Sequence, residues 1–79
     1  MKPTKDIRNK IIKKKKIYQG YIEQENKAET KSLNYVSYFN VVKEMDNLLF
    51  LLCDYDELPN HTVDYVEMYY NRIDKTGIL

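Results

Sequence analysis

Between Gly20 and Gly77 the chain carries a single backbone breaker, Pro59. A β-rich chain of this size needs several tight turns, and those turns draw on glycine, Asn-Gly or Asp-Gly. Their absence leaves a few long helices as the solution. The strongest positive signal lies inside this uninterrupted stretch. Tyr38, Val41, Met45, Leu48, Leu52 and Tyr55 recur at alternating intervals of three and four residues, the seam spacing of a packed helix. Val42 and Leu49 widen the stripe, while Asn40, Lys43, Glu44 and Asn47 fall off it. A strand over residues 33–42 is the competing reading on composition. Strict alternation fails there, because Tyr35–Val36 and Tyr38–Phe39 are adjacent apolar pairs.

Two weaker segments flank this helix. In the first, Thr4 is the expected N-cap and Asp6 lies in the first turn. Ile7, Ile11, Tyr18, Tyr21 and Ile22 share one face at 100° per residue, Lys14 intrudes on that face, and Ile12 and Ile17 lie off it. Gly20 either ends this helix or weakens it. Ser32 is the expected cap of the second helix. Residues 54–60 read as a loop, because Pro59 disfavours helical geometry at Leu58. The third helix starts near Asn60 or Thr62 and gathers Val63, Val66, Tyr69, Tyr70 and Ile73 on one face. Gly77 is the expected residue just past its end, with Arg72 and Lys75 suited to the C-terminal dipole. The fold expected is all-α, three helices over about residues 5–29, 33–54 and 61–75, in a single domain spanning residues 1–79.

A chain of 79 residues buries only about 60% of its unfolded surface and is marginally stable. Proteins of this size often add disulfides, a metal or a second subunit. One cysteine, Cys53, permits no internal disulfide. Cys53 and the single histidine, His61, are too few for a zinc site. Self-association, through the seam of helix 2, or folding against a partner is the remaining support. The lone cysteine suits a reducing compartment. The basic N-terminus is not followed by the apolar region of a signal peptide. The longest apolar run, residues 48–53, is far short of a membrane span. A cytoplasmic protein with no membrane contact is expected. Richness in Lys, Asn, Ile and Tyr resembles translated AT-rich DNA, as in many small phage, plasmid and low-GC bacterial proteins.

The net charge of +1 conceals a division. Residues 1–22 hold eight Lys/Arg against one acid, giving +7; residues 23–31 hold two against three, giving −1; residues 32–79 hold three against eight, giving −5. Lys2, Lys5, Arg8, Lys10, Lys13, Lys14, Lys15 and Lys16 could neutralise phosphates, and Lys10, Lys13, Lys14, Lys15 and Lys16 are the candidate contacts with nucleic acid. Arg8 is the only arginine among these basic residues, and arginine is the usual reader of base edges. A solvated helix face that balances the acidic half within the fold is the plainer reading of these lysines.

Catalysis finds little to work with. Cys53, at the end of the apolar run, reads as a buried structural residue, and His61 as a capping or loop residue. Asp54, Asp56 and Glu57 faintly suggest calcium, but Leu58 and Pro59 stand where an EF-hand loop needs a ligand and glycine. No phosphate-binding loop, dinucleotide fingerprint or metalloprotease motif is present. No enzyme activity and no cofactor are expected.

The eight tyrosines, with no tryptophan, are the remaining anomaly. Tyrosine is enriched at interfaces, where one end is apolar and the other wet. Tyr18, Tyr38 and Tyr70 fit the core stripes, whereas Tyr35, Phe39, Tyr65 and Tyr69 lie nearer the edges and Phe50 lies off the stripe. The expectation is a small regulator or inhibitor that binds a protein through a tyrosine-rich acidic surface, comprising Tyr35, Phe39, Asp54, Asp56, Glu57, Tyr65 and Tyr69. The alternative is a nucleic-acid-binding regulator that uses the basic first helix.

Overall fold

A computed structural model of the chain describes residues 1–76. It contains three helices, α1 (Lys5–Lys27), α2 (Tyr35–Leu52) and α3 (Asn60–Thr76), each within two residues of its expected bounds. Two short strands, β1 (Lys2–Pro3) and β2 (Glu57–Leu58), pair antiparallel, with Lys2 opposite Leu58. The fold is therefore all-α, with a small sheet that was not expected. That sheet has a local cause. Lys2 and Leu58 each precede a proline, and the proline ring forces the preceding residue into extended geometry.

Side-chain pairs fix the packing directions. Lys15 pairs with Asp46 at 2.5 Å, and the Arg8 guanidinium donates to the Cys53 carbonyl, so α2 runs antiparallel to α1. Lys2 pairs with Asp64 at 2.5 Å and Lys14 with Asp74, so α3 runs alongside α1 in the same direction. One core results, formed by Ile7 and Ile11 of α1, Val41, Met45, Leu48 and Leu52 of α2, and Val63, Val66 and Ile73 of α3. Tyr18, Leu49, Leu58, Tyr69 and Tyr70 pack against it partly buried. The three apolar stripes expected from the sequence account for it.

The helices differ in reach. At 1.5 Å per residue, α1 is about 34 Å long and α3 about 25 Å. Because α3 pairs with Lys2 and Lys14, it covers the α1–α2 hairpin only up to about one turn below Tyr18. Beyond that level Tyr18, Tyr21 and Tyr38 plug the space between the two helices, with ring centroids 5.3–5.7 Å apart. The molecule is accordingly long, 48 × 21 × 15 Å, with a radius of gyration of 13.8 Å. A compact chain of this length would have about 12 Å.

Several local expectations are corrected. Thr4 stands at the N-cap of α1 as expected, but makes no side-chain cap hydrogen bond. Its buried hydroxyl donates to the Tyr55 carbonyl at 2.6 Å, and its N–H donates to the Asp56 carbonyl at 3.0 Å. Gly20 does not end α1, which continues to Lys27. Asn34 stands at the start of α2 in place of Ser32, whose N–H donates to the Glu25 carboxylate at 2.8 Å. The Pro59 carbonyl accepts the first bonds of α3, from Thr62 and Val63, while His61 lies exposed in its first turn. Cys53 is exposed, not buried, and has φ 49°. That turn ends α2 before Tyr55, which leaves the seam and faces solvent. The expected role of Gly77 lies outside the described residues. No helix among the described residues is long and apolar enough to cross a membrane.

Candidate protein-binding surface

The residues expected to form one surface occupy two ends of the molecule. Tyr35 and Phe39 lie at the start of α2, and Asp54 lies just past its end, about 28 Å away along the helix axis. At the far end of the hairpin, Tyr35 packs edge-on against Phe39 with centroids 4.9 Å apart. The Tyr35 hydroxyl donates to the Asn26 side-chain oxygen, and Lys31 lies over the Tyr35 ring at 5.8 Å. The bond to Asn26 ties α2 to the end of α1, so Tyr35 serves the hairpin itself.

Asp54, Asp56 and Glu57 lie in the loop at the near end, and Tyr65 and Tyr69 lie on α3, which follows it. The loop carrying the acids is firmly held. Arg8 donates one nitrogen to the Cys53 carbonyl and another to the Tyr55 carbonyl at 3.0 Å, and the β1–β2 pairing fixes Glu57. A guanidinium at the end of α2 meets the carbonyls that the helix leaves without partners. No local pattern in the sequence announces this role of Arg8, a contact spanning 45 residues. The carboxylates of Asp54, Asp56 and Glu57 are exposed, and none pairs with a described cation.

From this loop α3 rises, and Tyr65 sits about 8 Å up its axis. Tyr65 and Tyr69 are four residues apart and therefore neighbours on the helix surface. Their centroids are 4.8 Å apart, and the Arg72 guanidinium lies 5.4 Å from the Tyr69 ring. A hydrogen bond with Tyr69 holds the Tyr65 hydroxyl above its ordinary pKa. Tyr65 and Met68 are about half exposed. Tyr70, by contrast, turns inward beside Lys14 and Asp74, and burial raises its pKa.

The basic helix is partly used inside the fold. Lys14, the intruder on the apolar face of α1, pairs with Asp74 and lies 6.0 Å over the Tyr18 ring. The bond to Asp74 raises its pKa against the opposing effect of burial. Lys15 is held by Asp46, and Lys2 by Asp64 with Glu67 at 3.9 Å. Each of these ion pairs joins the +7 segment to the −5 segment. Lys10, Lys13 and Lys16 remain exposed, the first two along a shallow groove between α1 and α3. Among the described residues no group of three His, Cys, Asp or Glu side chains is placed to hold a metal ion.

Comparison with protein families, curated proteins and solved structures finds no match to this chain.

Proposed function

We propose that the chain is a non-enzymatic, protein-binding regulator or inhibitor that takes its partner at the near end, across Tyr65, Tyr69 and the acidic loop. The observation that carries this reading is the half-exposed Tyr65, stacked on Tyr69 with Arg72 over that ring, on the helix that rises from a pinned loop bearing three carboxylates without a cation among the described residues. Tyrosine and arginine supply large contact areas at low entropy cost, and such residues dominate interface energetics. A preorganised loop adds affinity by sparing the cost of ordering it on binding. The complementary partner is a surface with basic groups around an apolar centre. Blocking a site that normally accepts phosphate is one way such a protein inhibits.

Photo-crosslinking tests the location. A benzophenone side chain placed at position 65 should capture a discrete partner in the cells that make this chain, whereas the same group at position 13 should not. Capture from position 13 with none from position 65 would move the interaction to the basic helix. The second reading, nucleic-acid binding, rests on the exposed Lys10, Lys13 and Lys16. The internal pairing of Lys14 and Lys15 weakens it.

A further inference from the structure

The outer face of α2 is not that of a surface helix. Its exposed residues are Val36, Phe39, Asn40, Lys43, Asp46, Asn47, Phe50 and Leu51. Phe50 is 79% exposed, Val36 66%, Phe39 46% and Leu51 45%. The opposite face, with Val41, Met45, Leu48 and Leu52, is fully used by the core. Half of that outer face is apolar, with Phe39 and Phe50 open to solvent, a pattern that suits a helix between two layers, and α2 has only one.

We propose that this outer face is a self-association surface, on which a second copy of this chain docks antiparallel about a two-fold axis. The seam that would ordinarily suggest pairing is spent inside the monomer, so the dimer uses the reverse of the helix. Phe39 and Phe50 are three helical turns apart and lie on one stripe. An axis midway between them sets Phe39 of each copy against Phe50 of the other. The same register sets Lys43 of each copy against Asp46 of the other. Lys43 is exposed and has no partner among the described residues. Asp46 holds Lys15 through one carboxylate oxygen, leaving the second for Lys43 of the second copy. The stripe is thus complementary to itself in apolar contact and in charge, as a two-fold interface requires.

The contact is a single helix face on each copy, so the dimer is weak and concentration-dependent. This inference does not rest on the function proposed above.

Sedimentation velocity over about 1 µM to 1 mM tests it with three variants, each checked for unchanged helicity. Phe50→Ser should weaken association by about tenfold or more. Lys43→Glu alone, and Asp46→Lys alone, should each do the same, because each homodimer then faces like charges twice. An equimolar mixture of Lys43→Glu and Asp46→Lys should recover a dimer within about threefold of wild type, since both crossings are again opposite in charge. A wild-type chain that stays monomeric throughout overturns the proposal. So does association that Phe50→Ser or Lys43→Glu leaves unchanged, or a mixture that does not recover.

Discussion

Gly20 is the residue whose local conformation its side chain does least to explain. It lies inside α1, and a Cβ built there meets no atom within 4 Å. Glycine costs about 1 kcal/mol relative to alanine in a helix interior, and nothing in the packing returns that cost. Gly20→Ala should stabilise the chain by about 1 kcal/mol in urea denaturation. Unchanged or reduced stability would mean that α1 is not continuous through this position. Cys53 presents the opposite case. Its φ of 49° suits glycine far better, and its conformation is held by the Arg8 and Thr4 bonds to the carbonyls around it. Lys14 shows a third pattern, a charge on an apolar stripe whose partner, Asp74, comes from another helix.

Among the elements, the connection between α1 and α2 carries a pH dependence. The Ser32 N–H donates to the Glu25 carboxylate, and this bond holds the Glu25 pKa below its ordinary value of 4.5. A carboxylate whose folded pKa is lowered stabilises the fold above its unfolded value, and that contribution disappears as pH falls through the folded value. The Ser32 amide signal in an NMR titration should therefore change with a midpoint below pH 4.5. A midpoint at or above 4.5 would show that the connection is open in solution. How far the elements were legible in the sequence follows from the range of the forces that set them. The three-and-four spacing from Tyr38 to Leu52 and the missing turn residues give α2 and the helix count directly. Tyr55 continues that spacing but leaves the helix, because the Cys53 turn depends on bonds from Thr4 and Arg8, about 45–50 residues away. The β1–β2 pair was half visible: Pro3 and Pro59 mark Lys2 and Leu58 as extended, but nothing local makes them neighbours.

For the whole molecule, the division of charge is an architectural device as much as a binding one. Lys2, Lys14 and Lys15 each reach across to an acid of α2 or α3. In each pair the acid is about half exposed to solvent, so they set the direction of packing more than its strength. The sequence identified the tyrosines and acids but not their division, because Tyr35 and Asp54 are joined by a helix that holds them apart. What remains unpaired is the acidic loop with Tyr65 and Tyr69 at one end, and Lys10, Lys13 and Lys16 on the flank. The affinity of the crosslinked partner, once purified, separates these two surfaces most directly. Calorimetric titration should show that Tyr65→Ala with Tyr69→Ala lowers affinity at least about tenfold, as truncation of interface anchors does, while Lys13→Ala with Lys16→Ala leaves it unchanged. Loss of binding in the lysine variant with full binding in the tyrosine variant would contradict the account.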